Sequence, residues 1–100
     1  MLGLAYKKNS SDARESPAIR VAELLTALGS HVDAIDMHVP IDQAFGEVRR
    51  LPMTAEVVRD ADAVVLLTDH DDLDYEIVER EARWVLDCRG RLHGPNVESL

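Results

Sequence analysis

Cysteine is almost absent from this 100-residue chain: Cys88 stands alone. No intrachain disulfide can form, and the composition suits a reducing cytoplasm. Basic residues are also scarce, with 11 Lys and Arg against 19 Asp and Glu, a net charge of -8. That balance speaks against nucleic acid or an anionic membrane as a general partner, while leaving room for a local basic pocket. No apolar run approaches the ~20 residues of a membrane span, and the first residues carry no signal-peptide pattern. Repeats and low-complexity stretches are missing too. So is the G-x-G-x-x-G fingerprint, because Ala5 and Lys8 stand where the glycines after Gly3 would be. That motif is the phosphate cradle of a standard NAD site, so the domain is not expected to bind NAD by itself in the usual way.

What remains is ordinary globular material, 46% hydrophobic and 30% charged, enough for one small core. Leu2 to Tyr6 reads as a short buried strand with no lead-in, so the chain is expected to start partway through a larger protein. A polar loop, Lys7 to Ser16, precedes a helix. Ser16 suits its N-cap, and Pro17 suits its first position because the missing N–H would be unpaired there anyway. Ala18, Val21, Ala22, Leu25 and Leu28 form one apolar stripe at helical spacing, and Gly29 is the expected stop. His31 to Asp36 fits a second strand, and Glu47 to Leu51 a short edge strand. Thr54 to Asp60 reads as a short helix capped by Thr54. Ala63 to Thr68 is a continuous β-branched and apolar run, the mark of a strand buried on both faces. An acidic loop, a helix from about Tyr75 to Ala82 capped by Asp74 or Asp72, and a strand over Trp84 to Cys88 follow. Strands separated by helices imply parallel crossovers. The expected fold is a small Rossmann-like three-layer α/β domain over residues 1–92, with a mostly parallel sheet of four to five strands. Residues 93–100 are expected to be a loose tail.

Ligands of open parallel sheets bind beyond the carboxyl ends of the strands. Lys7, Lys8 and Arg14 follow the first strand, near a helix N-terminus, and Arg89 follows the last. Singly these are ordinary solvated charges; on one edge they suit a phosphate. Asp36 ends the second strand where a ribose-binding acid would stand, yet without the glycines it reads as a loop or cap residue. Cys88 has Arg89 beside it, which would lower a thiol pKa, but a lone cysteine ending an apolar strand is more often a small core residue. His31, His38, His70 and His93 share no metal spacing, and His70 between Asp69 and Asp71 is a weak metal pattern. Tyr75 and Trp84 read as core or core-edge aromatics.

Tyr6-Lys7-Lys8-Asn9-Ser10-Ser11-Asp12-Ala13-Arg14-Glu15-Ser16-Pro17 resembles the signature that opens the C-terminal, UDP-binding domain of the UDP-glucose/GDP-mannose dehydrogenase family. Thr68-Asp69-His70-Asp71 with Asp74-Tyr75, and Leu86-Asp87-Cys88-Arg89-Gly90, are similar to its later landmarks in order. Asp69-His70-Asp71 and His38-Val39-Pro40 look most like the bacterial UDP-N-acetylglucosamine 6-dehydrogenase branch, with the UDP-glucose branch also open. The family oxidises a sugar C6 alcohol to a carboxylate in two hydride transfers to NAD, through a thiohemiacetal on a cysteine. The resemblance implies that Tyr6, Lys7 and Arg89 contact the UDP-sugar and that Arg14 closes over NAD. NAD itself would be held mainly by an N-terminal domain that is missing here. The central dimerisation helix and the catalytic cysteine, lysine and aspartate are missing as well, and Cys88 is not the family nucleophile. The implied partners are a UDP-sugar and the N-terminal and central domains of a homo-oligomeric parent enzyme. The chain alone would be inactive. The alternative is a stand-alone Rossmann-like interaction or regulatory domain that has lost its ligand.

Overall fold

The computed structural model describes residues 1–5, 9, 16–39 and 48–100. Helix α1 spans Pro17–Ala27, followed by β1 (Asp33–Ala34), β2 (Arg49–Arg50), α2 (Ala55–Asp60), β3 (Val64–Leu66), α3 (Tyr75–Glu81), β4 (Val85–Asp87) and β5 (Val97–Ser99). Every pairing between these strands is parallel: β1 with β2, β3 with β4, and β4 with β5. Leu2 joins the two sets by parallel bridges to Ile35 and to Leu66. Its N–H donates to the Val65 carbonyl (2.8 Å), its carbonyl accepts from Leu67 (2.9 Å), and the Gly3 N–H donates to the Ile35 carbonyl (2.9 Å). The spatial order is therefore β2, β1, the Leu2 segment, β3, β4, β5. Strands that come early in the chain lie to one side of Leu2 and later ones to the other, the doubly wound order that places a switch point beside the Leu2 segment.

Side-chain alternation along the strands sorts the core into two faces. Leu2, Ile35, Val64, Leu66 and Val85 pack with Val58 of α2 and Val78 of α3. Leu4, Ala5, Ala34 and Val39 pack with Ala18 of α1, and Leu67 leans on the same cluster. Helices thus cover both faces, and the sheet is the middle of three layers. No described helix is long and apolar enough to cross a membrane.

The caps follow the sequence closely. Ser16 accepts from the Ala18 N–H, Thr54 from Val57 and Asp74 from Ile77. Gly29 ends α1 at φ 94°, with its N–H on the Thr26 carbonyl. Two expectations need correction. Leu28, expected to continue the apolar stripe of α1, is 82% exposed, because the helix stops at Ala27 and Leu28 is its C-cap. The tail was expected to be loose. Instead Val97–Ser99 extends the sheet as β5, and Asn96 secures its entry. The Asn96 side-chain amide donates to the carbonyls of Ala82 (2.8 Å) and Glu79 (3.3 Å) at the end of α3. Its own carbonyl accepts from Val85 (2.9 Å). Backbone and amide bonds hold a segment whose apolar pattern is too weak to announce a strand.

Candidate functional site at the carboxyl ends of the strands

The first segment must turn sharply after Leu2, and Gly3 permits it. Its φ is +86°, and a Cβ there would lie 2.5 Å from the Thr68 Cβ and 2.7 Å from the Thr68 N, with the Thr68 carbonyl oxygen nearer still. The strand ends at Leu4-Ala5 and Thr68 are thereby brought into direct contact. The Ala5 carbonyl accepts from the Thr68 hydroxyl (2.8 Å) and from the Ser16 hydroxyl (3.2 Å). One carbonyl thus joins the ends of the first segment and β3 to the start of α1.

Asp36, one residue beyond the Ile35 bridge, is the centre of this edge. It is 6% exposed. Its Oδ2 accepts from the amides of Leu4 (2.7 Å) and Ala5 (3.1 Å) and faces His70 Nε2 at 2.8 Å. Its Oδ1 accepts from the amides of His38 (2.8 Å) and Val39 (3.1 Å). Burial by itself would raise the carboxyl pKa, but the bonds from Leu4, His70, His38 and Val39 outweigh it and hold the pKa below its ordinary value. Asp36 does act as a cap for the loop after β1, the reading expected in the absence of the glycine fingerprint, and it also binds two further loops.

His70 has no exposed surface. Its Nδ1 accepts from the backbone N–H of Asn9 at 2.7 Å, so the ring proton sits on Nε2 and points at Asp36. The His38 ring stacks on it, centroids 4.2 Å apart, and reaches Asp72 through Nε2 at 2.8 Å. Both His70 nitrogens and the His38 Nε2 are thus engaged in structural bonds. Among the described residues no group of three or more His, Cys, Asp or Glu is arranged to hold a metal ion.

Arg89 is the one proposed ligand residue within the described set. It stands on the exposed turn after β4, its Nε 3.1 Å from Asp69 Oδ1 beyond the end of β3. The turn is shaped by Asp87, whose carboxylate has no exposed surface and accepts from the amides of Arg89 (2.9 Å), Gly90 (2.9 Å) and Leu92 (2.6 Å). Burial pushes the Asp87 pKa up, and bonds led by those from Leu92 and Arg89 more than reverse it, so it lies below the usual value. Arg91 shares Asp69 (3.3 Å), bonds Asp71 (3.2 Å) and lies 4.6 Å over the Tyr75 ring. Burial is the main cause that pushes the Tyr75 phenol up to about 12, so it stays a donor, and its hydroxyl bonds the His70 carbonyl. Tyr6, Lys7, Lys8 and Arg14 lie outside the described residues.

The described residues do not form a dinucleotide cradle. The Leu4 and Ala5 amides, which would face a pyrophosphate after the first strand, are occupied by Asp36, and the space beside Gly3 is filled by Thr68. Cys88 is half-buried. Burial first and Asp87 second raise its thiol pKa, and Arg89 only partly opposes them, so the thiol is not activated. Sequence reasoning did not find the Asp36–His70 pair, which links residues 34 positions apart. The only signal was that both follow strand ends on the same edge.

Comparison with known proteins agrees with the landmarks. The profile of the UDP-glucose/GDP-mannose dehydrogenase family, UDP binding domain, matches residues 1–94. A UDP-glucose 6-dehydrogenase of Bacillus subtilis is 38% identical over 73% of this chain and 17% of its own length. An NDP-N-acetyl-D-galactosaminuronic acid dehydrogenase of Ralstonia nicotianae is 37% identical over 88% of this chain and 21% of its own. The mouse UDP-glucose 6-dehydrogenase is 30% identical over 98% of this chain and 24% of its own. The chain thus spans less than a quarter of the length of these relatives. With Asp69-His70-Asp71 and Arg89 on one strand edge and its match running from Met1 to Gly94, the chain belongs to the UDP-glucose/GDP-mannose dehydrogenase family, as its UDP binding domain.

Proposed function

We propose that this chain is the nucleotide-sugar-binding, C-terminal domain of an NAD-dependent UDP-sugar 6-dehydrogenase. The parent enzyme oxidises the C6 alcohol of UDP-glucose or a UDP-N-acetylhexosamine to the uronate with two NAD. In it Tyr6, Lys7 and Arg89 contact the UDP-sugar, while Arg14 closes over NAD held by the N-terminal domain. The N-terminal and central domains are its partners in a homo-oligomer. The observation that carries this reading is the placement of Arg89 on the carboxyl-end edge of a sheet whose family profile is that of a UDP binding domain. An arginine fork there suits a diphosphate, and the switch point beside the Leu2 segment is where open parallel sheets take their ligands.

When bound in the parent enzyme, NAD supplies the hydride acceptor. This chain's own residues bind and orient the other substrate: Arg89 neutralises phosphate charge, and Asp69 holds its guanidinium at the edge. UDP titrated into the 15N-labelled chain should shift the amides of Lys7 and Arg89, with weak affinity because few contacts offset the cost of association. No shifts at millimolar UDP would sink the reading. The chain alone should not reduce NAD with UDP-glucose or UDP-N-acetylglucosamine, and NADH formation by the purified chain would contradict the division of labour.

A further inference from the structure

A fully buried imidazole must have both nitrogens satisfied, and His70 spends them on two different loops. Nε2 donates to Asp36 (2.8 Å), beyond β1, and Nδ1 accepts from Asn9 (2.7 Å). Turning the ring over would set carbon atoms against both the Asn9 N–H and the Asp36 carboxylate and lose both bonds, and the stacked His38 ring covers one of its faces. Asn9 is exposed and sits at φ 60°, a left-handed conformation that asparagine tolerates better than most residues. Among the described residues its bonds run to residues 70 and 71: the amide donates to His70, the side-chain Nδ2 donates to Asp71 Oδ2 (2.9 Å), and Oδ1 accepts from the Asp71 N–H (3.1 Å). Asn9 lies between Lys7 and Arg14 in the chain.

We propose that His70, clamped between Asp36 and Asn9, is a positioning residue for nucleotide-sugar binding, anchoring at Asn9 the segment that bears Tyr6, Lys7 and Arg14. The inference rests on the proposed function of that segment. A ligand segment tied down before binding loses less freedom on association. Asp36 in turn is fixed by four backbone amides, so the anchor reaches back to the strand ends themselves.

Two near-isosteric variants separate positioning from mere support. Asparagine at 70 can offer an acceptor where Nδ1 stands, and glutamine a donor where Nε2 stands. His70→Asn should keep UDP affinity close to that of the unsubstituted chain. His70→Gln should weaken it by about threefold to tenfold, the range for one hydrogen bond, while better preserving the unfolding midpoint. The reverse ranking, with UDP affinity retained in His70→Gln and lost in His70→Asn, would overturn the role. Should both variants unfold, two measurements still decide. Scalar coupling between the Asn9 amide and His70 Nδ1 is expected across the hydrogen bond in the unsubstituted labelled chain, and its absence refutes the anchor. Asn9→Ala keeps the backbone N–H that donates to His70 but removes both side-chain bonds to Asp71 and disfavours the left-handed φ of 60°, so UDP binding should weaken, and unchanged binding refutes the anchoring of the segment at Asn9. If the unsubstituted chain shows no response to UDP, the proposed function fails and takes the positioning role with it. If that chain binds and His70→Gln binds equally well, only the positioning role fails.

Discussion

Alanine at position 3 tests how tightly the first segment and β3 are joined. The substitution adds one carbon in a backbone conformation of φ +86°, which costs an L-residue roughly 1–2 kcal/mol. That carbon would overlap the N, Cβ and carbonyl oxygen of Thr68. Two of these are backbone atoms of a residue whose amide is bonded to Leu2, so relief requires a shift of the strand ends, worth about 1–3 kcal/mol by analogy with overpacked cores. The sum is about 2–5 kcal/mol, and a 3 kcal/mol loss lowers Tm by roughly 10–25 °C for a domain of this size. Gly29 provides the internal control. Its φ is +94°, but nothing lies within 4 Å of an added Cβ, so Gly29→Ala should cost only the conformational part, about 1–2 kcal/mol. Urea unfolding of the two variants side by side measures the difference, which is the steric contact with Thr68. Equal destabilisation of both variants would show that the close approach at Gly3 contributes nothing.

Acid should unfold the chain through Asp36 and Asp87. Both carboxyls are held below their ordinary pKa in the folded state, so the stability they contribute is fully present above the unfolded value of about 3.9 and is lost as pH falls through the folded values. Asp87→Asn should cost about 1–3 kcal/mol at neutral pH and flatten the acid limb of a stability-against-pH curve; an unchanged limb would refute the assignment. The Cys88 thiol, with its pKa raised, should react with iodoacetamide at neutral pH more slowly than a free cysteine, as followed by mass spectrometry, and faster alkylation would contradict its environment.

The helices were legible because their ends carry local chemistry: Ser16-Pro17, Thr54 and Asp74 each bond an amide of the first turn. β3 was legible because burial on both faces leaves a continuous apolar run, whereas β2, two residues within a stretch of weak pattern, was legible only as a short edge strand around Glu47 to Leu51. Arg49 meets Asp33 through two bonds of 3.1 Å across the β1–β2 pair, and Arg50 bonds the carbonyls of Asp36 and Val39. β5 was not legible, because Val97 is its one apolar residue and its pairing is supplied by the backbone of β4. The Asp36–His70 pair escaped for a related reason: no periodicity records a contact between two loop residues, and the histidine, between Asp69 and Asp71, reads only as a weak metal pattern. The Arg89 position was legible, but its restraint by Asp69 was not, since that bond depends on how β3 and β4 end side by side.

The position of β5 also affects how the domain may be cut. The family match ends at Gly94, and a boundary drawn there would remove the strand that occupies the Val85 amide and the Asp87 carbonyl. β4 would then offer an open row of donors and acceptors to the backbone of any other chain, the template from which sheet-to-sheet aggregation grows. Residues 95–100 are thus a shield for β4, with Glu98 presenting a charge on the new rim. A shortened domain that precipitates would report the loss of that shield rather than any fault in the nucleotide edge.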